Sequence, residues 1–122
     1  MKLLIADDDR TFVELISGRL RAKGHQVLTA MDAIQAFANA VRNLPDAIVL
    51  DLNMPGGTGI EALRKLKAST KTAGIPVIVA SGMTERKQVE AVLALGAEVY
   101  LPKPVKFEIL ADALTRLTGV AI

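Results

Sequence analysis

The chain contains no cysteine and no tryptophan, and three phenylalanines and one tyrosine supply its whole aromatic content, 3% of 122 residues. Without cysteine, neither a disulfide framework nor a cysteine-based zinc site can form, and the single His25 cannot build a histidine metal site by itself. No apolar run approaches the roughly 18 residues that a membrane span requires. The opening Met1-Lys2-Leu3-Leu4-Ile5-Ala6 meets three aspartates before it reaches the length of a signal peptide. These absences point to a soluble, cytoplasmic protein with no membrane partner. The net charge of +2 and pI of 9.1 are mildly basic. With so few aromatics and no zinc-finger or RNP pattern, direct nucleic-acid binding is not expected. Arg19, Arg21 and Lys23, like Arg64, Lys65, Lys67 and Lys71, read instead as solvated helix faces.

What is present suffices for one packed core: 51% of the residues are hydrophobic and 23% charged. Strand-length apolar runs recur at Leu3 to Ala6, Val27 to Ala30, Ala47 to Leu50, Val77 to Ala80 and Val99 to Leu101. Between and after them lie helical periods: Phe12, Leu15, Ile16 and Leu20; Ala33, Ala36, Phe37, Ala40 and Val41; Ile60, Leu63 and Leu66; Val89, Val92 and Leu93; Phe107, Leu110, Ala111, Leu114 and Leu117. Asp32 with Gln35, and Thr58 with Glu61, have capping-box spacing, while Gly24, Gly74 and Gly96 stand where helices should stop. Five strand-then-helix repeats predict a single α/β domain over residues 1–122, with a parallel sheet covered on both faces. Ala47-Ile48-Val49-Leu50 fits a strand buried on both sides, and Val27 to Ala30 fits an edge.

In open sheets of this kind, sites form at the carboxyl ends of the strands. Asp7-Asp8-Asp9 follows the first strand, Asp51-Leu52-Asn53 the third, Ser81 the fourth and Lys103 the fifth. If the first and third strands are neighbours, Asp7, Asp8 and Asp51 converge, and their repulsion calls for a cation. Mg²⁺ takes hard oxygen ligands and only one or two carboxylates. Asp8, Asp51 and the backbone carbonyl of Asn53 would serve it, with Asp7 acting through water. A phosphoryl group on Asp51 would present three charged oxygens, one each for the metal, the Lys103 ammonium and the Ser81 hydroxyl. A carboxylate can attack phosphorus to form an acyl phosphate. Singly, Asp9 reads as a helix cap, Asp51 as a turn residue, Ser81 as a turn serine and Lys103 as a surface lysine; their joint placement at four strand ends favours one phosphoryl site. Asn39, Asn43 and His25 read as structural.

These residues resemble the response-regulator receiver family across nearly the whole chain. The matching stretches are Leu4-Ile5-Ala6-Asp7-Asp8-Asp9, Val49-Leu50-Asp51-Leu52-Asn53-Met54-Pro55, Gly59, Pro76-Val77-Ile78-Val79-Ala80-Ser81-Gly82, Gly96-Ala97 and Tyr100-Leu101-Pro102-Lys103-Pro104. The resemblance implies a doubly wound, flavodoxin-like sheet in strand order 2-1-3-4-5 with five helices. It implies that Asp51 is the phosphoacceptor, Asp7 and Asp8 the acidic pair, Ser81 the hydroxyl that follows the phosphoryl group and Lys103 its counter-charge. Ser81 and Tyr100 would form a switch that remodels the face of the fourth helix, fifth strand and fifth helix.

The implied donor is a sensor histidine kinase or phosphotransfer protein, and the implied receiver of the signal is a downstream protein or output domain whose identity the sequence does not give. A homodimer through the fourth and fifth helices is compatible with the pattern and not required by it. Such a protein is a switch with slow self-dephosphorylation rather than a metabolic enzyme, and Asn53 and Met83 would flank the path of the hydrolytic water. The resemblance also implies a cis bond at Lys103-Pro104. Gly56-Gly57-Thr58 departs from the family pattern and suggests a mobile loop after Asp51, while Pro102 suits an edge strand.

Two other readings fit parts of the chain. Ile5-Ala6-Asp7-Asp8-Asp9-Arg10-Thr11 also matches the nucleophile motif of haloacid-dehalogenase-like phosphatases, in which Asp7 would take the phosphoryl group. That family's later acidic motif is missing, since only Glu108 and Asp112 lie beyond Lys103, and no substrate-covering cap is present. An FMN-binding flavodoxin-like module shares the architecture, but three aspartates after the first strand would repel a phosphate.

Overall fold

The computed structural model describes residues 1–54 and 59–122. Strands β1 (Lys2–Ala6), β2 (Gln26–Ala30), β3 (Ala47–Leu50), β4 (Val77–Ser81) and β5 (Val99–Pro102) alternate with helices α1 (Arg10–Ala22), α2 (Ala33–Asn43), α3 (Gly59–Ala68), α4 (Arg86–Ala94) and α5 (Phe107–Thr118). The strands form one parallel sheet in the order β2-β1-β3-β4-β5. Both the class and the order agree with the expectation.

The sheet separates two apolar layers, because successive side chains along a strand point to opposite faces. Leu4, Ala6, Ile48, Leu50, Val77 and Val79 pack with residues of α2, α3 and α4 on one side; Leu3, Ile5, Ala47, Val49, Ile78 and Ala80 pack with α1 and α5 on the other. All four residues of β3 are buried, as its unbroken apolar run requires. Burying one such leucine or isoleucine side chain contributes about 1.5–3 kcal/mol, so the central strands are firmly anchored in the core.

β2 lies at one edge. Its residues 26, 28 and 30 face β1, leaving the carbonyls of Val27 and Thr29 pointing outward. Arg21 donates to the first at 3.0 Å and Asn39 to the second at 3.4 Å. Pro102 ends the other edge strand, opposite Ser81, and the next residue, Lys103, donates its backbone N–H to the Ser81 carbonyl at 2.9 Å.

Several local readings need correction. α1 turns Val13, Ile16, Ser17 and Leu20 to the sheet and leaves Leu15 61% exposed. Both sets of residues have helical spacing, and periodicity alone cannot choose between them. Leu93 on α4 is likewise exposed. Gly24 and Gly96 do stop helices, at φ +91° and +112°. Gly74 does not: α3 ends at Ala68, and the chain then makes consecutive turns through Ile75, with the buried Thr72 hydroxyl donating to the Leu66 carbonyl at 2.6 Å. α2 stops at Leu44, left-handed at φ 47°, because the following Pro45 disfavours a helical conformation there. Asp32 caps α2 by accepting the Gln35 N–H at 2.7 Å. The Thr58 half of the second capping box, and Gly56 and Gly57, lie outside the described residues.

Gly59 opens α3 against the end of β3. A Cβ there would stand 2.3 Å from Leu52 Cα and 2.4 Å from the Asp51 carbonyl oxygen, so only glycine permits this approach, and its N–H donates to the Leu52 carbonyl at 2.9 Å.

Candidate functional site

Parallel pairing brings the ends of β1 and β3 side by side. The Asp51 N–H donates to the Ala6 carbonyl at 2.9 Å, one residue before Asp7. Oxygens of Asp7, Asp8 and Asp51 consequently lie within 4.8 Å of one another, with Asp7 and Asp51 buried and Asp8 exposed. The juxtaposition that the sequence made conditional on neighbouring strands is therefore present.

Lys103 reaches into this cluster from the end of β5. Its Nζ donates to Asp7 Oδ2 at 2.6 Å and stands 3.5 Å from Asp51 Oδ2. The peptide bond that follows, Lys103-Pro104, is cis, as the resemblance implied. Asp7 Oδ1 accepts the Asp9 N–H at 2.9 Å, so both Asp7 oxygens are engaged. Asp51 Oδ1 accepts the Asn53 N–H at 3.2 Å, which sets Asn53, itself exposed, at the rim. Asp9 accepts the Phe12 N–H and caps α1, as its position suggested.

Charge and burial oppose each other here. Burial is the main force raising the Asp7 carboxyl above its ordinary value of 3.8; the negative charge of Asp51 adds to this, while the Lys103 and Asp9 hydrogen bonds pull against it. For Lys103, burial disfavours the ammonium, but the hydrogen bond and charge of Asp7, joined by Asp51, outweigh it and hold the group above its ordinary 10.5. Three carboxylates thus face one ammonium, a net negative pocket built of hard oxygen donors.

Ser81 is fully buried at the end of β4, and its Oγ accepts the Met83 N–H at 3.4 Å. Tyr100 is half-buried on β5. Its hydroxyl donates to the Ser81 carbonyl at 3.3 Å and closely to the Met83 carbonyl. Ser81 and Tyr100 are therefore joined through one turn, although neither has a hydrogen bond to the aspartates among the described contacts.

The sequence matches the family model described as "Response regulator receiver domain" over residues 3–115. The chain belongs to the response regulator receiver family. Similar proteins of this family include the response regulator PleD of Caulobacter vibrioides, 38% identical over 96% of this chain and 26% of its own length. The transcriptional regulatory protein PrrA of Mycobacterium tuberculosis is 36% identical over 98% of this chain and 49% of its own length. The receiver chain thus spans between a quarter and a half of these curated relatives. Among solved structures, the receiver domain of sensor histidine kinase PA1611 of Pseudomonas aeruginosa PAO1 matches with a TM-score of 0.88 at 30% identity, covering 98% of both chains. That structure has a magnesium ion coordinated in its active-site cleft. Chemotaxis protein CheY4 of Vibrio cholerae matches with a TM-score of 0.87 at 30% identity, covering 95% of this chain and 97% of its own. Membership in the receiver family sets aside the phosphatase-like and FMN-binding readings. No helix among the described residues is long and apolar enough to cross a membrane.

One neighbour of the receiver site escaped the sequence. Phe12, expected only as part of the apolar face of α1, has its ring centroid 5.1 Å from Lys103 Nζ. Ninety-one positions separate the two, and no local pattern signals such a pair.

Proposed function

We propose that this receiver takes a phosphoryl group onto Asp51 from the phosphohistidine of a sensor histidine kinase or phosphotransfer protein. The observation that carries this reading is the buried Asp51 carboxylate at the end of the central strand, inside the acidic cluster and 3.5 Å from the Lys103 ammonium. An Asp51 oxygen attacks phosphorus while the P–N bond to the donor imidazole breaks, its electron pair and a proton going to that nitrogen. In the slow reverse of the switch, water attacks phosphorus, the acyl phosphate P–O bond breaks, and the Asp51 carboxylate returns with inorganic phosphate. This is one cycle of phosphorylation and self-dephosphorylation per signal rather than metabolic catalysis.

The donor set fits Mg²⁺: three carboxylates, no soft ligand in the cluster among the described residues, and a surplus of negative charge. Asp8, Asp51 and the Asn53 backbone carbonyl would hold it. Asp7, with both oxygens already accepting protein hydrogen bonds, would act through water. When bound, Mg²⁺ offsets the repulsion among the carboxylates and polarises a phosphoryl oxygen.

Lys103 is the counter-charge for a second phosphoryl oxygen and Ser81 the donor for a third. Turning the Ser81 hydroxyl toward Asp51 gives up its 3.4 Å contact with Met83. Tyr100, bonded to the carbonyls of both residues, follows that movement and carries it to the face of α4, β5 and α5. That face signals to a protein partner or output domain, or supports a homodimer. Residues 1–122 act as one receiver unit, and their setting is cytoplasmic.

The test is intact-mass spectrometry after incubation with a small acyl-phosphate or phosphoramidate donor and Mg²⁺. A phosphoryl adduct in the parent that disappears in Asp51→Asn is the expected result. An adduct that survives Asp51→Asn, or no adduct in the parent, overturns the assignment.

A further inference from the structure

We propose that Phe12 is a positioning residue for phosphoryl transfer, its ring holding the Lys103 ammonium between Asp7 and Asp51 so that the cation is in place when the phosphoryl group arrives. This rests on the function proposed above and adds a residue which that reading does not use.

A lysine ammonium sits on a flexible four-carbon stem and gives up much of its rotamer entropy when held in one place. Here a quarter of the Lys103 side chain is exposed, and its two anionic partners hold it unequally, at 2.6 Å from Asp7 and 3.5 Å from Asp51. The Phe12 ring supplies a third partner. Its centroid lies 5.1 Å from Nζ, within the roughly 6 Å over which the negative face of an aromatic ring attracts a cation.

The backbone that carries the ring is anchored to the site. Asp9 donates its backbone N–H to Asp7 Oδ1 at 2.9 Å, and Asp9 Oδ1 accepts the backbone N–H of Phe12 at 3.2 Å. Phe12 then meets Lys103, and Lys103 returns to Asp7 Oδ2. The contacts close a circuit, Asp7 to Asp9 to Phe12 to Lys103 and back to Asp7, which ties the start of α1 to the end of β5. A leucine in place of Phe12 keeps an apolar side chain against the layer beneath α1 and α5 but leaves the circuit open at the cation.

The comparison of Phe12→Leu with Phe12→Tyr separates the two roles, because both retain bulk and only tyrosine retains the ring. By NMR, the ε-methylene protons of Lys103 should be shifted upfield by the ring in the parent and in Phe12→Tyr, and not in Phe12→Leu. Phosphoryl uptake from a small acyl phosphate at fixed Mg²⁺ should slow roughly three- to tenfold in Phe12→Leu, and stay within about twofold of the parent in Phe12→Tyr. No upfield shift in the parent, an unchanged rate in Phe12→Leu, or equal slowing in both variants overturns the role of Phe12. A parent that accepts no phosphoryl group at all overturns the proposed function and this role with it, so the two failures are told apart.

Discussion

Each end of the sheet carries a lysine tied to a carboxylate, and the two pairs are balanced differently. At the amino ends of β4 and β5, Lys67 donates to Glu98 at 2.7 Å and to the Ile75 carbonyl at 2.9 Å, while the other Glu98 oxygen accepts the Val77 N–H. One cation meets one anion, and the spare hydrogen-bonding capacity of both is spent on backbone. At the carboxyl ends, Lys103 is the one cation among the described residues paired with the cluster of Asp7, Asp8 and Asp51, two of them buried. A neutral, satisfied cluster braces the fold, whereas a cluster with surplus charge is less stable by itself, as the proposed binding of a cation and a phosphoryl group requires.

The contrast can be tested from both ends. The largest effect on stability is expected from Lys67→Met, which strands a partly buried glutamate and a backbone carbonyl. Urea unfolding should show a loss of about 1–3 kcal/mol, with phosphoryl uptake at Asp51 unaltered. A comparable loss of uptake would show that the two ends are not independent.

Asp7→Asn should act in the opposite sense. Because burial raises the Asp7 carboxyl, the folded state holds that proton more tightly than the unfolded chain. Stability of the metal-free protein then falls as pH rises from the ordinary value of 3.8 through the raised one, and stays lower above it. The asparagine variant should therefore melt a few degrees higher than the parent near neutral pH, lose that advantage in acid, and bind Mg²⁺ more weakly. A variant that melts lower than the parent at neutral pH would mean that Asp7 is a brace like Glu98. The raised Lys103 shifts stability in the same direction but in a far higher window: its contribution is complete below about 10.5 and is lost only as pH climbs through its folded value.

The smallest effect is expected far from both clusters. Gly18 lies in the exposed part of α1 with nothing within 4 Å of where a Cβ would stand. Gly18→Ala should raise stability by about 0.5–1 kcal/mol without touching Mg²⁺ binding or uptake. Equilibrium unfolding reads the first and a Mg²⁺ titration the second. A change in the latter would mean that the flexibility of α1 feeds into the site.

The sequence was most informative where chemistry and periodicity coincide. Strand ends marked by Asp7, Asp51, Ser81 and Lys103 were legible because a polar or charged residue there interrupts an apolar run. The Asp9 and Asp32 caps were legible because capping is decided within four residues. The strand order came from family resemblance, since periodicity says what a strand is and not what lies beside it. The exposed Leu15 was misread because Val13 offers an equally good helical face, and the turn through Gly74 because Thr72 anchors it by a contact to Leu66 that no spacing rule contains. The Phe12–Lys103 pair was invisible for a different reason: it exists only after α1 and the end of β5 have been brought together by the sheet between them.

The two side chains that cover the outward carbonyls of β2 bear on life in a crowded solution. An approaching strand from another molecule needs a row of free acceptors to zip onto, and along this margin it meets a guanidinium and an amide already seated on them. Addition of strands into ribbons is thereby discouraged on that side.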